Sequence, residues 1–298
     1  MYAITEYENQ IIIGGTFTQV NSQTYNRLAA IDKTTALPTL WNPNVANTVR
    51  GLAISGSTLV VVGDFTTASG ATRNRVCSYD MTSGNLTNWN PNANNNVYSV
   101  AIYGNIAYIG GTFTQVSGQT RNRIAALDLT ATSTPFTTSW NPNISAPTGV
   151  TASVNSIAVS PDGLSIYAGG LFTTVGSATR NNLARINSSD ALADAFDPVV
   201  SSTVKSIAVD SNYAAVGGDF TSLNGYLRNR LAQIDLSSGE ATDFNPNITI
   251  SSGTAGVYAL EIYGGTLYFG GSFTSVGGTA RNRIAAIDIA SQTLTTWN

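Results

Sequence analysis

The chain has 298 residues, of which 10% are charged, with a net charge of -3 and no histidine. The missing imidazole excludes Ser-His-Asp and Cys-His catalysis and histidine-ligated metals, and the sparse charge lacks the concentrated basic footprint of a nucleic-acid-binding protein. No run of about 18 apolar residues occurs, so no membrane-spanning helix is expected.

From the amino terminus onward, one motif is written six times. A glycine pair and a phenylalanine recur as Gly14-Gly15-Thr16-Phe17, Gly110-Gly111-Thr112-Phe113, Gly169-Gly170-Leu171-Phe172, Gly217-Gly218-Asp219-Phe220 and Gly270-Gly271-Ser272-Phe273, with Val62-Gly63-Asp64-Phe65 as the degenerate member. The phenylalanines stand 48, 48, 59, 48 and 53 residues apart. A period of this length marks supersecondary units that bury their apolar faces on one another. The copies span 1–44, 49–92, 97–143, 154–199, 204–247 and 257–298. No linker interrupts them, so one domain over 1–298 is expected.

The opening MYAITEYENQIII has no basic segment followed by an apolar core and cleavage site, and therefore does not read as a secretion signal. It aligns instead with the start of the third copy. The last residues, Trp297-Asn298, fall where earlier copies read Trp-Asn-Pro-Asn. Both observations lead us to expect a domain within a longer chain.

The third copy shows the unit most clearly. Residues 97–103 alternate and are rich in valine, isoleucine and tyrosine, ending at the turn pair Gly104-Asn105, the pattern of a hairpin's first strand. A second strand is expected over 106–114, where the glycine pair permits a bulge or the close approach of a neighbour. A polar loop at 115–120, a third strand at 121–129 and a fourth at 136–140 follow. Asn141-Pro142-Asn143 ends the copy, because proline donates no ladder hydrogen bond. Nothing in the chain carries a sustained 3.6-residue apolar period. Six units of four antiparallel strands predict an all-β, six-bladed β-propeller, with no strand exchanged between the terminal blades. The rival is an open stack or β-helix.

Recurring residues are read as architecture. Trp41, Trp89, Trp140, Phe196, Phe244 and Trp297 share one position, expected to wedge between neighbouring blades. The Arg-Asn-Arg element places Asn26, Asn74, Asn122, Asn181, Asn229 and Asn282 at a loop where an amide satisfies backbone groups. Ten of the twelve arginines flank these asparagines. Their planar five-donor forks suit a clamp between blades, with an anion-binding ring the less favoured reading. Asp32, Asp80, Asp128, Asp235 and Asp288, with Asn187 in the fourth copy, are expected to cap the turns that follow them. Cys77 stands where the other copies have alanine, so a small buried side chain is expected and no intramolecular disulfide can form.

The glycine-pair, Arg-Asn-Arg and Trp-Asn-Pro-Asn elements together resemble a kelch-like β-propeller repeat family of large secreted or surface-exposed bacterial proteins. The resemblance covers the whole chain and implies a fold more than a ligand. It also implies an extracellular or cell-surface location.

Departures from the repeat mark where recognition could act. The connections at 144–151 and 248–256 are longer than the standard and are expected on the same rim as the loops between second and third strands. The second residue of the first strand is the most variable: Tyr2, Arg50, Tyr98, Asn155, Lys205 and Tyr258. Rings and oriented hydrogen-bonding groups at the mouth of a central channel suit a glycan or a peptide. The expectation is a noncatalytic binding or adhesion module for a glycan or protein, without cofactor, nucleic acid or membrane insertion. The alternative is an architectural spacer or assembly subunit. Glu6 and Glu261, the nonrepeated acids of first strands, leave carboxylate-based glycoside hydrolysis as a third reading. Asp190, Asp194 and Asp197 form an acidic patch whose spacing does not match a dedicated calcium loop, and the metal question stays open.

Overall fold

The structure, a computed structural model, describes residues 1–297. These residues form strands and turns without a helix. The chain divides into two compact units, Met1–Asn143 and Ile144–Asn298, each holding three copies of the repeat.

Each copy builds its own antiparallel sheet in the order first, second, third strand. In the third copy these are Val97–Tyr103, Ile106–Gly111 and Ile124–Asp128. Among the described residues, the first sheet is made from Ala3–Asp32 and the last from Gly256–Leu294, each from strands of its own copy as expected. Within each unit the first strands of successive copies lie against one another.

The fourth strand is shorter than the sequence led us to expect. It is two residues long at Asn85–Leu86 and Thr293–Leu294, and elsewhere shrinks to single bridges such as Leu127 to Thr137. The segment soon meets the Trp-Asn-Pro-Asn turn, which ends the ladder. The third strand begins later than expected because Arg123 takes a left-handed φ of 69°, a conformation a strand cannot contain. The anticipated polar loop is itself a small hairpin, Gln115–Val116 paired with Gln119–Thr120. In the second unit this hairpin also gains a strand from the long connection ahead of its copy, Ile144–Ser145 on Thr174–Val175 and Ile248–Thr249 on Ser275–Val276. Those pairings put the long connections on the same rim as the hairpins.

The core lies between consecutive sheets. One cluster joins Val60, Val62 and Trp89 of the second copy to Ile109, Phe113 and Leu127 of the third. Burying a phenylalanine such as Phe113 completely contributes about 2–3 kcal/mol. Trp41 and Trp89 act as the wedges expected, their indole N–H groups donating into the next copy, to Gly84 O at 2.8 Å and Asp128 O at 2.9 Å.

The glycine pair has two separate causes. A methyl on Gly217 would lie 2.6 Å from Cγ1 of Val257 in the next copy, and one on Gly111 would lie 2.9 Å from Val97 Cα in its own first strand. Both contacts are too short for a side chain. The degenerate second copy solves the first problem differently, with Val62 facing Gly51, where other copies carry alanine or serine.

The arginines clamp within a copy, not between copies as expected. Arg121 Nη1 donates to Thr120 O at 2.8 Å and Nη2 to Thr138 O at 2.6 Å, tying the hairpin to the fourth-strand segment. Arg123 Nη1 donates to Thr112 O at 2.7 Å and Phe113 O at 3.1 Å. The clamp is local because the Arg-Asn-Arg element lies beside the end of its own second strand. The asparagine between the arginines instead pairs with the last asparagine of Trp-Asn-Pro-Asn, as Asn74 Nδ2 does with Asn92 Oδ1 at 2.6 Å.

Candidate functional site

Where the second residue of the first strand sits follows from the ladder. Pairing passes from Val97–Gly111 directly to Ser99–Gly110, so Tyr98 is the extra residue of a β-bulge. The same shift makes Arg50, Asn155, Lys205 and Tyr258 bulge residues. Bulges re-aim a side chain at the rim of a sheet. Tyr2, just ahead of the first ladder, donates its N–H to Gly14 O at 2.8 Å.

In the first unit three of these residues meet. The Arg50 guanidinium carbon lies 5.1 Å from the Tyr98 ring centroid and 5.9 Å from that of Tyr2. Its Nε donates to Asp64 at 2.8 Å and Nη2 approaches the same carboxylate at 2.7 Å. Asp64 keeps Arg50 firmly charged, with smaller support from the two tyrosines and against a partial loss of hydration. Tyr2 is 61% exposed, leaving an aromatic face open beside a fixed cation.

The second unit uses its bulge residues otherwise. Asn155 Nδ2 donates to Val204 O at 3.0 Å, Lys205 Nζ lies 3.4 Å from Asp219, and the Tyr258 hydroxyl is 3.0 Å from Ser272 Oγ. Asp64, Asp219 and Ser272 escaped the sequence reading. Each occupies the third place of the glycine-pair motif, fourteen residues after its partner. That constant offset, with a base answering an acid, was the signal available.

On the hairpin rim, Asn74, Arg75, Asn92, Asn94, Gln115 and Gly118 line a cleft of about 410 Å³. Asn94 is tied to the next hairpin, its Oδ1 accepting from Thr114 N at 2.9 Å. Arg75 Nη1 donates to the backbone carbonyl of Asp64, linking the cleft to the stack through one residue.

Several other acidic residues have partners of their own. Glu6 bonds Lys33 at 2.7 Å, which lowers its pKa, whereas loss of hydration raises that of Glu261. Asp194 and Asp197 engage Arg185 at 2.6 Å and Arg180 at 3.5 Å, and Asp190 accepts from Leu192 N. Among the described residues no group of three or more potential ligands could hold a metal ion. The turn-capping aspartates behave as expected: Asp128 Oδ1 accepts from Thr130 N at 2.8 Å and Asp235 Oδ1 from Ser237 N at 2.9 Å, with Asn187 doing the same for Ser189.

Three segments, 9–29, 104–128 and 161–192, match a domain of unknown function (DUF5122) described as a β-propeller. A search of curated proteins finds no match. The fold is similar to the computationally designed Ika8 protein, at 12% identity and a TM-score of 0.56, covering 98% of this chain and 72% of that one. It is also similar to the Myceliophteria thermophila Cps50 (Swd1) β-propeller domain, at 10% identity and a TM-score of 0.58, covering 96% and 82%. With its repeated antiparallel sheets, the chain is an all-β repeat protein of the β-propeller type.

Proposed function

We propose that the protein is a noncatalytic binding or adhesion module that recognises a glycan or protein through its hairpin rim. The observation that carries this reading is the Tyr2–Arg50–Tyr98 stack, two rings flanking a guanidinium fixed by Asp64. A ring face takes up the C–H side of a sugar or an apolar side chain, and the fixed polar groups orient it. The amide-lined cleft on the same rim, linked to the stack through Arg75 and Asp64, offers both donors and acceptors. The module works without a cofactor, at the cell surface or outside the cell.

A glycan array probed with the full chain, the Tyr98→Ala variant and the Tyr258→Ala variant tests the reading. Loss of at least tenfold in affinity on Tyr98→Ala, with the fold intact, is expected. Unchanged binding by that variant removes the stack from recognition.

A second reading, an architectural spacer or assembly subunit, draws on a specific observation. Arg50, Lys205 and Tyr258 each have a partner within their own copy, so their variation can be read as matched pairs that hold each bulge. Absence of any ligand, together with loss of stability on Asp64→Asn, favours it.

A further inference from the structure

The first unit carries its charges in two separate layers. Arg27, Arg50, Arg73, Arg75, Arg121 and Arg123 all belong to the hairpin rim, at bulges or in Arg-Asn-Arg elements, and Asp64 is the one carboxylate among them. Glu6, Glu8, Asp32, Asp80 and Asp128 belong to the turns at the other ends of the strands, with Lys33 their one cation. Every charged side chain of Met1–Asn143 falls into one layer or the other.

The arginines of this rim are held mainly by neutral partners. Apart from Arg50, the donors that anchor them reach backbone carbonyls: Arg73 donates to Thr87 O at 2.8 Å, Arg121 to Thr138 O, Arg123 to Thr112 O, and Arg27 to Thr16 O. A carbonyl orients a guanidinium without neutralising it. The two layers are separated by strands of up to seven residues, roughly 20 Å at about 3.3 Å per residue. The Debye length at physiological ionic strength is about 8 Å, so a ligand at the hairpin rim senses the arginines and not the distant carboxylates. The overall charge of -3 conceals this.

We infer that the ligand of the hairpin rim is an acidic polysaccharide, one bearing uronate carboxylates along a chain of pyranose rings. The inference rests on the binding reading above and adds the chemical class. A sugar ring stacks on Tyr2 or Tyr98, its hydroxyls meet the amides of the Asn74–Gln115 cleft, and the carboxylates lie in the field of the six arginines. Nucleic acid fits less well, because tight phosphate pairing needs free guanidinium or ammonium donors. Five of these arginines are half-buried and already bonded to carbonyls, and the first unit's hairpin rim holds no lysine.

Oligogalacturonate of about six sugars, cellohexaose and a 20-nucleotide single-stranded DNA would be titrated into the full chain by calorimetry at low and high salt. Oligogalacturonate should bind, at least tenfold more tightly at 50 mM than at 300 mM NaCl, and cellohexaose should not. The double variant Gln23→Glu, Gln119→Glu changes exposed hairpin residues that take no part in the clamps, and should weaken binding at least fivefold. Asn105→Asp adds the same kind of charge on the opposite rim and should leave binding unchanged. Salt-independent cellohexaose binding that is lost with Tyr98→Ala overturns the acidic class and keeps the binding reading. Binding of DNA as tight as that of oligogalacturonate, or equal effects of the two rims' variants, also overturns it. Absence of any binding, or binding indifferent to Tyr2→Ala and Tyr98→Ala, removes both.

Discussion

Replacing Gly111 with alanine places a methyl group 2.9 Å from Val97 Cα and 3.0 Å from the Asn96 carbonyl carbon, with the carbonyl oxygen nearer still. Carbon and oxygen rest at about 3.3–3.6 Å when they touch without strain, so the bulge must open. Opening it strains the Thr112 N–H to Asn96 O hydrogen bond of 2.9 Å, worth about 1 kcal/mol. Overpacking of the site adds about 1–3 kcal/mol, and the two together give a loss of about 2–4 kcal/mol. The control is Gly104→Ala. Gly104 has a φ of 56° with no atom within 4 Å of the added methyl, and Glu8 takes a φ of 49° at the same place in the first copy. Its substitution should cost about 1 kcal/mol or less, since a left-handed residue costs roughly 1–2 kcal/mol and the stiffer unfolded chain offsets part of that. Urea unfolding followed by tryptophan fluorescence compares the two variants under the same conditions. Free-energy losses equal within about 0.5 kcal/mol would refute the claim that close backbone approach, and not turn conformation, fixes the glycine pair.

Acid should destabilise the protein through its turn caps. Asp32, Asp80, Asp128, Asp235 and Asp288 all have lowered pKa values because N–H and hydroxyl groups donate to the ionised form. A depressed folded-state pKa gives stability that is complete above the unfolded value near pH 4 and is lost as pH falls through the folded values. The melting temperature should therefore stay level from pH 7 to pH 5 and drop below pH 4, less steeply in a variant with Asp128→Asn. Trp89→Phe keeps most of the wedge but loses the N–H bond to Asp128 O, for about 1 kcal/mol by chemical denaturation. Trp89→Ala should cost about 3–5 kcal/mol, and equal costs for the two would contradict the wedge. Burial pushes the Cys77 thiol well above its usual range, so a thiol reagent at pH 8 should modify it only once urea unfolds the chain. Rapid reaction in the native state would show that the Cys77 site is open.

How far the sequence could be read depended on whether residue type alone fixes a side chain's role at its repeated position. The strand order, the turn caps at Asp128 and Asp235 and the wedge at Trp89 follow from residue types that recur along the chain, so repetition made them visible. The direction of the arginine clamp was not visible. A guanidinium can reach carbonyls on either side, and only the left-handed turn at Arg123 aims it back at Thr112 and Phe113. The fourth strand was overestimated because 136–140 has strand-like residues but little room before Pro142. At the candidate site, the variability of Tyr2, Arg50 and Tyr98 was plain, while their meeting around one guanidinium depends on neighbouring bulges that periodicity does not encode. Charge layering was concealed for a related reason: composition sums over both rims, whereas screening makes a ligand feel only one. Arg50 shows how these levels combine, since the register shift turns it toward the rim, Asp64 fixes its fork, and the neighbouring tyrosines give that fork a surface on which something can lie.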